Sequence, residues 1–176
     1  MAAIASYSVD VRDWVVGGAV VLESDRLLLV GNRRRNGTID WTPPGGVIEV
    51  DEGESILDGL AREVEEETGL RVTAWGAGPL YSVTAEAPGL GWRLRAEVHL
   101  AAAWEGDLVV DDPDGIVVDA RFVPCHDCDG LLDGCHPWVR EPLAAWLSER
   151  WATAQSFGYR LDGADVASLT VTRLGG

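Results

Sequence analysis

The sequence predicts an α/β fold. Three observations predict it: β-rich runs on both sides of one helical stretch, start and stop signals that frame that helix between Ser55 and Gly69, and a second helical pattern from Pro137 to Trp151. With 176 residues and no repeat, linker or composition break, residues 1–176 read as one domain with enough length to bury a core.

The elements follow in chain order. Trp14 to Leu22 and Arg26 to Val30 are apolar, β-rich runs, and Glu23-Ser24-Asp25 between them reads as a hairpin turn. Arg33 to Gly37 is a polar turn whose Asn36-Gly37 pair is its strongest signal. Trp41-Thr42-Pro43-Pro44-Gly45-Gly46 reads as a shaped loop, because each proline biases its predecessor to extended geometry and the glycine pair admits unusual torsions. Ser55 and Asp58 have the spacing of a capping box, and Gly69 stands where a helix-ending glycine belongs. Val72 to Ala85, Trp92 to Trp104 and Ile116 to Val123 read as strands. In the second of these, Trp92, Leu94, Ala96, Val98 and Leu100 share one face, while Arg93, Arg95, Glu97 and His99 share the other. Pro137 opens the last helix, on which Trp138, Leu143, Trp146 and Leu147 recur at helical spacing. Residues 156–176 read as a C-terminal hairpin or edge strand, with a turn at Leu161-Asp162-Gly163 and alternation from Val166 to Leu174. Such an edge suits either this chain's own sheet or a homodimer.

Composition and charge exclude several classes of function. The chain is 47% hydrophobic and 24% charged, and no apolar run approaches the ~18 residues of a membrane span. Its formal net charge is −15, so a nucleic-acid duplex or an anionic membrane surface is repelled by most of the molecule. Met1 to Asp13 lacks the basic start and apolar stretch of a signal peptide, which places the protein in the cytoplasm. Three cysteines in a reducing compartment argue against a disulfide framework.

The first helix carries a physical difficulty. On a wheel of roughly 100° per residue, Ile56, Leu57, Leu60, Ala61, Val64 and Thr68 form the core stripe. Glu63 and Glu67 fall on the border of that stripe, and Glu66 lies further round. Glu65 points to the opposite side. Carboxylates at such a border are partly desolvated, and like charges four apart cost a helix roughly 0.2–0.5 kcal/mol even in water. Two compensators are open: arginine pairing, by Arg62 or by Arg33 to Arg35, Arg93 or Arg95, or divalent cations, whose hard character suits carboxylate oxygens. The Pro43-Pro44-Gly45-Gly46 loop favours the second, because glycine lets main-chain atoms approach a metal or phosphate closely.

Gly46, Glu54, Arg62, Glu63, Val64, Glu66, Glu67, Gly69 and Leu70 resemble the box of the Nudix hydrolase superfamily (MutT-like), G-x5-E-x7-R-E-U-x-E-E-x-G-U with U aliphatic. From Glu54 onward every fixed position is filled. Before it, seven residues rather than five separate Gly46 from Glu54, a two-residue insertion around Val50 to Glu52. The resemblance implies an α/β/α sandwich with a mixed sheet. It implies that Glu63, Glu66 and Glu67 bind Mg²⁺ or Mn²⁺, that the Gly46 carbonyl adds a ligand, and that Arg62 braces Glu54, a structural residue. It also implies hydrolysis of a diphosphate linkage in a nucleoside diphosphate derivative, a small-molecule nucleotide. The alternative is a non-hydrolytic nucleotide-sensing module of the same fold, whose sign would be lost box glutamates; none is lost.

Roles outside the metal set remain candidates. The general base is Glu66 or Glu63 within the box, or Glu97 outside it, for which a cross-strand ion pair is the rival reading. Arg33, Arg34 and Arg35 form a basic patch able to hold substrate phosphate, or a solvated turn. Trp41 and Trp92 are candidates to stack on a base, or core residues. Gly59 leaves room for ligand or for close packing. Cys125, His126, Cys128, Cys135 and His136 offer zinc-ligand types at a spacing that matches no standard finger, and three unpaired thiols is the competing account.

Overall fold

Alternate residues of the first two strands are buried on opposite sides, and this sets the layers of the molecule. The computed structural model describes residues 11–165 and 168–175. β1 (Arg12–Glu23) sends Val20 to one side and Ala19 and Val21 to the other; β2 (Arg26–Arg33) divides Leu27 and Leu29 from Leu28 and Val30 in the same way. All of these are fully buried, and each Leu or Val contributes about 1.5–3 kcal/mol by leaving water. A sheet apolar on both faces must be covered on both. α1 (Ile56–Thr68) covers one face with Leu60 and Val64. The short α2 (Cys128–Leu132) and α3 (Pro137–Glu149) cover the other with Cys128, Leu132, Leu143 and Trp146.

The remaining strands are β3 (Ile39–Thr42), β4 (Arg71–Ala87), β5 (Trp92–Glu105), β6 (Val117–Pro124), β7 (Gln155–Asp162) and β8 (Thr170–Leu174). Among the described residues they run in the order β3-β2-β1-β5-β4-β7-β8, with β6 also paired to β2. The sheet is mixed. β1 with β5 and β4 with β7 are parallel, and the other pairs are antiparallel. The architecture is the α/β/α sandwich.

Several expectations are refined. Trp41 and Thr42 lie in β3 rather than in the loop, because the Asn36-Gly37 turn closes a hairpin in which Trp41 faces Gly31; the shaped loop starts at Pro43. α3 ends at Glu149, where Arg150 turns left-handed with φ 50°. The inserted residues Val50–Glu52 form one 3₁₀ turn closed by Gly53 with φ 91°. α2, with five residues, carries too little periodicity to be legible. In the C-terminal region, Val166 and Ala167 lie outside the described residues, and β8 pairs antiparallel with β7 at the edge of the sheet.

Candidate active site

The site is built where the loop after β3 lies along β1 and meets the side of α1. Three main-chain hydrogen bonds fix it: Ala19 N–H to the Pro44 carbonyl, Gly17 N–H to the Gly46 carbonyl, and Ile48 N–H to the Val15 carbonyl, each 2.9 Å. The approach is too close for any side chain at the glycines. A Cβ on Gly45, whose φ is 146°, would stand 2.2 Å from the Gly17 carbonyl oxygen, and one on Gly46 would stand 2.5 Å from a Glu63 carboxylate oxygen. The glycine pair therefore serves the helix as directly as it serves the strand.

α1 is held at both ends. Ser55 caps it by accepting from Asp58 N–H at 3.2 Å, and Gly69, left-handed with φ 72°, closes it by donating to the Glu65 carbonyl. Within it Arg62 is a hub. Its Nε and Nη2 grip the two Glu54 oxygens at 3.0 and 3.3 Å, and its Nη1 reaches Glu63 at 2.8 Å and Glu66 at 3.1 Å. Glu54 also accepts from Glu49 N–H at 3.0 Å, and its carboxyl is held below the usual carboxylate range, chiefly by the Arg62 hydrogen bonds. Arginine pairing and crowded glutamates therefore coexist: one guanidinium serves three carboxylates.

Glu67 is left out of that arrangement. It is 8% exposed and accepts from Gly45 N–H at 2.9 Å, and among the described residues no arginine or histidine pairs with it. Burial pushes its carboxyl up to about 8, against the Gly45 hydrogen bond, and the charges of Glu63, Asp112 and Glu66 push the same way. Glu63 is raised as well, first by burial, with Arg62 opposing.

The donors present fit a hard divalent cation: a buried carboxylate that, among the described residues, has no counter-charge, and two neighbouring carboxylates; the Gly46 carbonyl already accepts from Gly17 N–H. The side chains are not gathered into a ready cluster. Among the described residues no three Asp, Glu, His or Cys groups converge as a metal site, because Arg62 draws Glu63 and Glu66 towards itself.

Asp112, unmarked in the sequence reading, joins the site from the loop after β5. Its carboxylate accepts from the main-chain N–H groups of Asp114, Ile116 and Val117 at 3.2, 2.7 and 2.8 Å, and its charge acts on Glu67. The only local sign is the acidic run Asp111-Asp112-Pro113-Asp114. That run gives no hint of α1.

On the opposite face of the sheet a cleft of about 190 Å³ opens beside the same loop. Its lining includes Val16, Pro43, Gly45, Leu94, Val98 and Trp138. The ring of Trp138 is stacked on His136, with centroids 4.1 Å apart and planes 7° apart.

Other candidates fall elsewhere. Arg33, Arg34 and Arg35 are exposed at the β2–β3 turn, and Arg34 is paired with Asp40. Trp41 is buried, with the Arg121 guanidinium 4.0 Å above its ring, so that face is already covered. Trp92 is half-buried against the α3-side core. Glu97 shares the α1 face of β5 with His99 and is bonded to its Nε2 at 3.0 Å; none of the contacts that join Glu54, Arg62, Glu63 and Glu66 includes it. Gly59 gives room to Glu54 and Ile48, which a Cβ would meet at 2.6 and 2.9 Å, so its role is close packing. The three thiols do not meet around one centre. Cys128 is turned to the Val123 and Pro124 carbonyls, Cys135 to the Trp41 carbonyl, and Cys125 to Arg150. Burial raises the thiols of Cys128 and Cys135 to about 11.

Residues 12–147 match the family model described as NUDIX domain. The chain belongs to the Nudix family. It is 54% identical over 134 residues to a MutT-like protein of Streptomyces ambofaciens, covering 71% of this chain and 80% of that one. It is 36% identical over 138 residues to a human protein named m7GpppN-mRNA hydrolase NUDT17, covering 74% of this chain but 40% of the relative. Among solved structures it is similar to a MutT Nudix hydrolase from Burkholderia pseudomallei, with 26% identity and a TM-score of 0.61 over 75% of this chain and 96% of that one. It shares its fold with the ORF135 protein of E. coli at 19% identity, a TM-score of 0.65, and 81% and 96% coverage. As a Nudix protein it is a pyrophosphohydrolase by family. No helix among the described residues is long and apolar enough to cross a membrane.

Proposed function

We propose that this Nudix protein hydrolyses a diphosphate linkage of a nucleoside diphosphate derivative, with Mg²⁺ or Mn²⁺ held by Glu63, Glu66, Glu67 and the Gly46 carbonyl. The observation that carries the reading is Glu67, a buried carboxylate beside two others that, among the described residues, has no cationic partner. Such a charge is expensive to bury unless a counter-ion arrives. When bound, the cation offsets charge on the phosphoryl oxygens and makes water a stronger nucleophile near neutral pH.

The chain's own residues have separate tasks. Gly45 N–H orients Glu67, and Glu54 with Glu49 N–H anchors Arg62 from outside the carboxylate group. For Glu63 and Glu66 to hold a cation, Arg62 would have to release part of its hold on them, while its two contacts to Glu54 involve neither carboxylate. The proton taken from the attacking water goes to Glu66 or Glu63. Glu97 ranks behind them, because its partner is His99 and none of the contacts that join Glu54, Arg62, Glu63 and Glu66 includes it. The apolar cleft beside Pro43 and Gly45 takes the group attached to the diphosphate. The human relative's name, that of a hydrolase of m7GpppN-mRNA, is consistent with a nucleotide joined through phosphates.

The test is turnover of a panel of nucleoside diphosphate derivatives with and without Mg²⁺, by the wild type and Glu66→Gln. Metal-dependent hydrolysis, lowered at least about 10²-fold by the substitution, is expected. Nucleotide binding without turnover in either protein would replace the enzyme with the sensing module.

A further inference from the structure

The cleft beside the Pro43–Gly45 loop limits how finely the protein can choose its substrate. Its floor is Val16 and Gly18 of β1, Leu94, Ala96 and Val98 of β5, and Tyr81 and Val83 of β4. Among the described residues no carboxylate, side-chain amide or cation lines it. The polar side-chain groups among its lining residues are the hydroxyls of Thr42 and Tyr81 and the indole N–H of Trp138; Thr42 accepts from Asn32 Nδ2 at 2.9 Å and keeps its O–H to donate, and Tyr81 is 2% exposed. The main chain offers little more. β1 and β5 pair with each other through this region, Pro43 has no N–H, and the Gly45 N–H is given to Glu67.

An apolar pocket separates related ligands by roughly 10–200-fold, whereas one built to hydrogen-bond a particular group rejects its analogue by about 10⁴–10⁵. At about 190 Å³ the cleft is also smaller than the ~300–1,000 Å³ typical of sites that enclose a drug-sized ligand. That space suits one ring system.

The wall that shapes it is Trp138. It stands in the first turn of α3, just after Pro137, and His136 lies flat against one of its faces. The ring is therefore held in place before any ligand arrives, which lowers the cost of stacking on it.

We infer that the cleft accepts the single base of a mononucleoside polyphosphate by size and stacking rather than by reading its edge, with Trp138 as the specificity-determining wall. The protein then hydrolyses nucleotides of different bases at comparable efficiency. It does not separate an altered base from its parent by more than about a hundredfold.

This inference rests on the diphosphate hydrolase reading, and the experiment separates the two. Glu66→Gln loaded with Mg²⁺ is titrated calorimetrically with ATP, GTP, CTP and UTP, and the wild type is assayed for hydrolysis of the same four. The titrations are repeated with Trp138→Ala and Trp138→Phe added. Dissociation constants within about a hundredfold of one another are expected, weakened by a common factor of at least about ten in Trp138→Ala and largely kept in Trp138→Phe. A preference above about 10³ between two bases of the same ring size overturns the inference, as does Trp138→Ala binding like its parent. If binding shows the expected pattern but the wild type hydrolyses nothing, the hydrolase reading falls with the rate statement built on it, and recognition of the base by size and stacking stands. Hydrolysis with a large preference reverses that outcome, and no binding by any nucleotide together with no hydrolysis by the wild type overturns both. Should Trp138→Ala fail to fold, the spread among the four nucleotides still decides.

Discussion

Glu67 is the residue on which the site's electrostatics turn. In the unfolded chain its carboxyl ionises near the model-peptide value of 4.5, and in the fold burial holds its proton up to about 8. Between those values the native state keeps a proton that the unfolded state has lost, so this group's contribution to stability falls as pH rises. Glu67→Gln, which keeps an oxygen to accept from Gly45 N–H, removes that dependence. In chelator at about pH 8 the variant's melting temperature is expected to exceed the wild type's by at least about 3 °C, roughly 1 kcal/mol for a chain of this length; at about pH 5 the two converge. Saturating Mg²⁺ at the higher pH narrows or reverses the difference, because a ligand that binds only the native state raises its stability. Melting curves at the two pH values, with and without Mg²⁺, check both statements. At this scale the sequence was informative about α1 alone. The wheel singles out Glu63, Glu66 and Glu67, whose placement depends on neighbours within two turns. Asp112 and Trp138 escape it, because what matters about them is a contact with residues far along the chain, and one tryptophan among eight has no local mark.

At the scale of elements, the loop and α1 depend on each other through glycine. Gly59→Ala improves helix propensity by about 1 kcal/mol, but its methyl group would meet the Glu54 carboxylate and Ile48 inside contact distance. Since Glu54 is pinned by Arg62 and by Glu49 N–H, it cannot turn away freely. A net loss of stability is expected, read as a lower denaturation midpoint, whereas a gain would mean that Glu54 is mobile. Gly45→Ala is costlier, because its torsion is one that L-residues rarely adopt and the obstacle is backbone. A loss above about 1 kcal/mol is expected from chemical denaturation, together with weakened metal binding, since Gly45 N–H holds Glu67. The helix was legible from Ser55 and Gly69, whose capping acts locally. β3, α2 and the inserted 3₁₀ turn were not, because elements of three to five residues leave the 2- and 3.6-residue periods nothing to repeat over.

Across the whole molecule, the sandwich brings chemistry and recognition to one boundary. α1 carries the carboxylates on one face of the sheet, α3 carries Trp138 on the other, and the Pro43–Gly45 loop touches both. The division of β5 into an apolar and a polar face was readable from alternation, and it fixes which face holds the cleft. The parallel pairing of β1 with β5, some eighty positions apart, was not, because no local signal records which strands become neighbours. The central claim is that the crowded glutamates hold a divalent cation. Mn²⁺ binding, followed by the loss of the free-ion electron paramagnetic resonance signal, tests it most directly. The wild type, Glu63→Gln, Glu67→Gln and Glu65→Gln serve, the last as an exposed control on the same helix. The account predicts affinity at least about tenfold weaker in Glu63→Gln and Glu67→Gln and unchanged in Glu65→Gln. Equal affinity in all four would show that the acidic surface as a whole, with its net charge of −15, attracts the ion, and would contradict the site.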